Sequence, residues 1–193
     1  MDLFFIISLV FAYLAGSISS AIVVCRLFGL ADPRTQGSNN PGATNVYRIA
    51  GRWMGFFTLL GDFLKTALPM VLVYKLHYGR ELSLWVGIMA VIGHCFPIFF
   101  SFRGGKGVAS MITVISLVIT PFALLALGTW LLSAYTFSRS SIASLITSLV
   151  IPFYSLHFKP ELFIPLCALS AVVFVRHRSN ISNIFKGKEP LLN

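Results

Sequence analysis

Charge is what this sequence has least of. Only 11% of its 193 residues are Asp, Glu, Lys or Arg, and six of those are acidic. A soluble domain averages about a quarter charged residues, so a water-facing surface cannot be built from so few. Lipid must be the solvent for most of the chain. The shortage of carboxylates also leaves two-metal and retaining-glycosidase chemistry without obvious ligands. Cysteine is scarce too. Cys25, Cys95 and Cys167 fall in or beside apolar runs without metal-type spacing, and read as small buried residues with no disulfide framework. There is no HExxH run, nucleophile elbow or Cys/His cluster, and no metal or cofactor is expected. A basic n-region is absent as well. Asp2 stands in its place and the following apolar run is too long, which argues against a cleavable signal peptide.

What is present is long apolar stretches. Hydrophobic residues make up 56% of the chain, 18 of them Phe, and the mean hydropathy is +0.84. A helix needs about 20 apolar residues to cross the hydrocarbon layer. The runs 3–25, 53–76 and 82–101 meet that requirement, and 141–156 and 162–175 are shorter but bounded by charge. The run 108–137 is long enough to be one overlong helix or two short ones turning near Thr120-Pro121. These alternatives give six spans or seven.

Charge placement chooses between them. With seven spans, Arg26, Arg34, Arg48, Arg52, Arg103, Lys106, Arg139, Arg176, Arg178, Lys186 and Lys188 share one side. Lys75, Arg80 and Lys159 lie on the other, and Lys65 is inside a span. Six spans would level that split to 7 against 7. The richer side is cytoplasmic, so the sequence predicts an all-α integral membrane protein of about seven helices. Its N-terminus lies outside and its C-terminus in the cytoplasm, with residues 1–193 forming a single transmembrane domain. The net charge of +9 then reflects this bias together with anionic substrates and lipid headgroups, not nucleic acid.

Three cytoplasmic segments differ from their surroundings. In Gly37-Ser38-Asn39-Asn40-Pro41-Gly42-Ala43-Thr44-Asn45, glycine and proline force turns that can aim successive N–H groups at one anion. Ser38, Asn39, Asn45 and the following Arg48 add side-chain donors, although a solvated turn loop has the same composition. Arg103-Gly104-Gly105-Lys106-Gly107 opens the next apolar run, where a helix N-terminus, close backbone approach and a lysine favour phosphate. It is not a Walker A loop, since Phe100 stands where the first glycine belongs. In the third segment, His177 and Asn180 are spaced to share a helical face. The like charge of Arg176 and Arg178 favours a neutral imidazole, able to accept a hydroxyl proton. A juxtamembrane cluster gripping anionic lipid would look similar. Elsewhere, Asp62 and Lys65 lie mid-span as either a functional or a mutually neutralising pair, and His94 reads as a packing group or strut. The His-x4-Asp pair of common acyltransferases is missing: Phe99 and Ser182 occupy the positions where its Asp would fall.

Gly16-Ser17-Ile18, the 37–45 run with Arg48, Gly93-His94, 104–107, and His177-x-x-Asn180-Ile181 ending at Gly187-x-Glu189 together resemble a known family. It is the bacterial membrane glycerol-3-phosphate acyltransferase family that uses acyl phosphate. The resemblance covers nearly the whole chain, with Asn183 departing where a basic residue is expected. It implies transfer of a fatty acyl group to position 1 of glycerol 3-phosphate, in the bacterial inner (plasma) membrane, without a cofactor. It further implies His177, Lys106 and Asn180 as catalytic residues. Ser38, Asn39, Asn45, Arg48, Gly104, Gly105, Gly107 and Glu189 would bind substrate or phosphate. The rival class is a phosphate or lipid-phosphate transporter. That function needs polar residues along a path across the bilayer, whereas here they concentrate on one side. A purely structural membrane subunit would leave the three loops unexplained.

Overall fold

The computed structural model describes residues 3–76 and 79–192. Among them the regular structure is helical, in two compact units, Met1–Val114 and Ile115–Asn193. The first unit begins with α1 (Leu3–Gly16), α2 (Ser20–Leu27), α3 (Ala43–Ala50), α4 (Arg52–Lys75) and α5 (Gly79–Cys95). Helix α6 (Val108–Val118) begins in that unit. The second unit carries α7 (Thr120–Phe137), α8 (Ser140–Phe158), α9 (Phe163–Arg176) and α10 (Arg178–Phe185).

Each unit turns apolar side chains outward and small polar ones inward. In the first, Leu3, Trp53 and Leu68 are exposed while Thr58 and Thr66 are fully buried. In the second, Leu124, Leu132 and Ile164 are exposed while Thr147, Ser148 and Ser155 are buried. Exposed apolar area on this scale is untenable in water and ordinary against lipid. Four helical stretches, Arg52–Lys75, Gly79–Phe100, Thr120–Phe137 and Ser140–Phe158, are long and apolar enough to cross a membrane. Counting each of two bent helix pairs as one span raises this to six.

The first bent pair corrects the reading of 3–25 as one uninterrupted helix. Helices α1 and α2 meet at 42° across Gly16-Ser17-Ile18-Ser19. The break follows from close packing of α1 on α5. A Cβ at Gly16 would collide with the Ala90 carbonyl, and one at Gly93 with the Tyr13 carbonyl, so the two backbones touch where both residues lack side chains. Ser17 Oγ donates to Tyr13 O at 2.8 Å, and Ile18 N–H turns to Ala15 O at 3.1 Å. The Ile18 carbonyl that the break releases accepts Lys65 Nζ at 2.9 Å.

The run 108–137 does divide at the expected place. Ile119 is extended, with φ −147° and ψ 106°, and Pro121 lies in the first turn of α7, where its missing N–H leaves no gap in the ladder. Pro152 interrupts α8 from within. The Ser148 carbonyl it cannot serve accepts Ser170 Oγ from α9 instead.

The second bent pair changes the reading of the C-terminal motif. Helix α10 is not a straight continuation of α9. The chain turns by 61° between Pro160–Arg176 and Arg178–Phe185, with His177 at the corner.

Candidate active site

In the first unit, the loop between α2 and α3 is held by one side chain. Asn45 Oδ1 accepts the Ser38 N–H at 2.9 Å, and its Nδ2 donates to Pro33 O and Gln36 O, both at 3.0 Å. Expected as a substrate donor, Asn45 is instead buried and spends its amide on its own loop. The expected nest over 37–45 narrows for the same reason. Ser38 N–H goes to Asn45, Asn39 N–H to Gln36 O, Gly42 N–H to Asn40 O and Asn45 N–H to Gly42 O. Among the described residues this leaves the N–H groups of Gly37, Asn40, Ala43 and Thr44 without an acceptor, the last two at the start of α3. Arg48 lies one turn beyond Thr44 on the same helical face, half-buried. Ser38 and Asn39 are exposed, and Asn39 takes a left-handed φ of 55°.

Asp32 and Arg34 clasp this loop to the chain before Lys106. Arg34 Nη2 donates to Asp32 Oδ2 at 2.7 Å and Nε to Oδ1 at 3.0 Å, while Nη1 reaches Phe100 O at 3.3 Å. The Arg34 hydrogen bonds, aided by its charge, hold the Asp32 carboxyl below its ordinary value.

Helix α5 stops ahead of Pro97, and a 3₁₀ turn over Ile98–Phe100 leads to Ser101 and Phe102, both left-handed at φ 55° and 58°. The chain then runs without regular structure through 103–106 into α6. Gly104, Gly105 and Gly107 are buried and Lys106 is half-buried, just ahead of the α6 N-terminus. Gly105 N–H donates to His94 O at 3.1 Å, and a Cβ on Gly105 would strike His94 Nε2. Only glycine lets this segment lie on the imidazole.

In the second unit, His177 is almost fully buried and its Nδ1 is 2.8 Å from Val173 O. A carbonyl can only accept, so Nδ1 carries hydrogen, and in the neutral ring Nε2 is the acceptor. Asn180 and Glu189 are both buried, and Asn180 Nδ2 donates to Glu189 Oε1 at 2.7 Å. Their other oxygens, Asn180 Oδ1 and Glu189 Oε2, have no partner among the described residues. Arg139 Nε donates to Glu189 O at 3.2 Å, and Leu192 N–H to Ser138 O at 2.7 Å, which strap the C-terminal segment to the start of α8.

Two buried hydroxyls escaped the sequence reading. Ser110 Oγ, in the first turn of α6, and Ser141 Oγ, in the first turn of α8, have no partner among the described residues. Serine in an apolar helix is unremarkable in sequence. The available signal was position, each lying in the first helical turn after a basic loop. Among the described residues no three His, Cys, Asp or Glu gather as a metal-ligand set.

The chain matches the family described as glycerol-3-phosphate acyltransferase over residues 6–187. A glycerol-3-phosphate acyltransferase of Pasteurella multocida is 47% identical over 190 residues, covering 98% of this chain and 94% of the relative. One from Shewanella woodyi is 46% identical over 178 residues, covering 92% and 88%. Among solved structures, PlsY (YgiH), an integral membrane glycerol 3-phosphate acyltransferase, superposes in its glycerol 3-phosphate form with a TM-score of 0.90. The identity there is 32%, over 97% of this chain and 94% of that one. Its lysophosphatidic acid form gives a TM-score of 0.89 at 31% identity, with the same coverage. Helices and loops of this kind define a multi-pass acyltransferase of the bacterial inner membrane. The chain belongs to the glycerol-3-phosphate acyltransferase family.

Proposed function

We propose that this protein, as one transmembrane acyltransferase domain, moves a fatty acyl group from acyl phosphate to position 1 of glycerol 3-phosphate. The products are lysophosphatidic acid and inorganic phosphate, an early step of phospholipid synthesis. The observation that carries this reading is near-full-length similarity to an acyltransferase solved in both a glycerol 3-phosphate form and a lysophosphatidic acid form. These ligands correspond to the acceptor and product of the proposed reaction.

In this reading the position 1 hydroxyl oxygen attacks the acyl carbonyl carbon. The bond from that carbon to the phosphate oxygen then breaks, and phosphate leaves with the electron pair. Acyl phosphate is already activated, so the chemistry calls for no covalent enzyme intermediate. Lys106 and the first N–H groups of α6 stabilise the carbonyl oxyanion and the departing phosphate. Arg48, with Ala43 and Thr44 N–H, holds phosphate through charge-assisted hydrogen bonds. Ser38 and Asn39 are exposed donors beside them, and Gly104, Gly105 and Gly107 give the backbone its close approach. His177 Nε2 orients the hydroxyl, whose proton passes to a phosphate oxygen. Asn180 and Glu189 supply further polar groups toward the acceptor.

The charge split supports seven spans with the N-terminus outside and the basic loops cytoplasmic. Helix α6, 11 residues long, is then a short span of its own, the fourth in chain order. The test is to incubate purified protein with acyl phosphate and glycerol 3-phosphate and follow phosphate release. Phosphate and lysophosphatidic acid should appear in equal amounts, and only with both substrates present. Formation of lysophosphatidic acid from another acyl donor alone would overturn the choice of donor.

A further inference from the structure

The Asp62–Lys65–His94 cluster lies outside every role assigned above. Asp62 Oδ1 is 2.8 Å from Lys65 Nζ and 3.3 Å from His94 Nδ1, and all three side chains are buried. Lys65 Nζ also reaches the Ile18 carbonyl at 2.9 Å. His94 sits in the last turn of α5 and meets Gly105 twice. Its carbonyl accepts the Gly105 N–H, and its ring occupies the space where a Gly105 Cβ would go. A single carboxylate on α4 therefore links the α1–α2 break, through Lys65, to the segment that carries Lys106, through His94. Buried charge at membrane depth is costly and is most readily understood where it fixes a geometry. A mutually neutralising structural pair would need only Asp62 and Lys65. It would not account for an imidazole whose Nδ1 edge faces Asp62 at 3.3 Å while its far edge lies against the glycine-rich segment.

We infer that His94, held between Asp62 and Gly105, is a positioning residue that sets where Lys106 stands in acyl transfer. The inference rests on the role proposed for Lys106. It adds that the loop's placement is dictated from below by one ring, and that Gly105 is glycine because of that ring.

The experiment measures kcat and KM for both substrates, with thermal unfolding, in detergent-purified variants. His94→Ala should lower kcat by roughly tenfold to a hundredfold, the scale expected when a reacting group shifts by about 1 Å. Substrate KM values and the unfolding temperature should move far less. His94→Asn places an amide near where Nδ1 meets Asp62 and should recover much of that loss. Gly105→Ala alone should lower kcat comparably, by pushing against the ring. In the His94→Asn background, which lacks the atom it strikes, Gly105→Ala should cost little more, so the two changes are non-additive. That pair remains informative even where His94→Ala fails to insert. Effects of Gly105→Ala and His94→Asn that simply multiply, or normal kcat in His94→Ala, overturn the inference. Lys106→Ala in the same assay separates the two levels. A nearly inactive Lys106→Ala beside independent His94 and Gly105 effects sinks the positioning role alone, whereas normal turnover of Lys106→Ala removes the proposed chemistry beneath it.

Discussion

Asn180 Nδ2 donates to Glu189 Oε1 at 2.7 Å, joining α10 to the chain's final segment with both side chains buried. Glu189, expected to bind substrate or phosphate, thus spends one carboxylate oxygen on Asn180. Glu189→Gln, which keeps an accepting oxygen, should retain most activity. Glu189→Ala leaves the Asn180 amide unpaired, at a cost of about 1.5–3 kcal/mol for a lost bond to a charged group. Turnover and unfolding temperature measured on both variants check this. Equal loss in Gln and Ala would assign the carboxylate charge itself to the reaction.

His177 presents only Nε2 for chemistry, because Nδ1 is committed to Val173 O. His177→Gln should therefore keep a polar group near the Nε2 position, retain much of kcat, and mainly raise the KM for glycerol 3-phosphate. The acidic limb of the pH–rate profile should survive in the variant. Loss of that limb together with a kcat fall of about 10²–10⁴ would make His177 the general base.

Lys106→Ala should insert and fold yet lose about 10²–10³ in rate, the worth of one preorganised oxyanion donor. Lys106→Arg should not restore full activity, since a planar fork replaces a compact charge in a segment packed on His94. Steady-state kinetics on purified variants measure both.

Topology is read by single-cysteine labelling at Ser38, Arg103 and Ser179, which are exposed in the structure. All three should react only with reagents that enter the cytoplasm. The buried Cys25 and Cys95 should contribute little background, so Cys167 is the native thiol to replace first. Labelling of any one position from outside would break the seven-span arrangement.

The Asp32–Arg34 clasp carries a pH signature. Because Arg34 lowers the folded-state pKa of Asp32 from its ordinary 3.8, the stabilisation is fully present above that value. It is lost as pH falls below 3.8 and through the lowered folded-state pKa. Hydrogen-exchange protection of the loop, corrected for intrinsic rates, should drop over that window in the native protein. In Asp32→Asn it should be weaker at neutral pH and free of that step.

The all-helical, membrane-type character of the chain was legible because composition alone marks it. A helix boundary falls at 119, where Pro121 already punctuates the sequence. The α1–α2 break was not legible, since 3–25 is apolar throughout and its cause is the contact of Gly16 with a helix far along the chain. Asn45 was read as a donor to substrate, and a donor it is. Sequence shows the amide but not that its partners are carbonyls of its own loop. His94 looked solitary for a similar reason: Asp62 lies on another helix and Gly105 around a turn, so neither falls within a local periodicity.

The break between α1 and α2 also ties two distant parts of the sequence together. The freed Ile18 carbonyl finds its partner, Lys65, 47 residues later in the chain. Lipid offers such a carbonyl no donor, so the bend in the first hydrophobic segment is complete only where α4 supplies one. Lys65 does so while facing Asp62 at 2.8 Å. One ammonium group thus closes both a backbone gap in the N-terminal helix pair and a buried charge in α4, and a change at position 65 is felt at both.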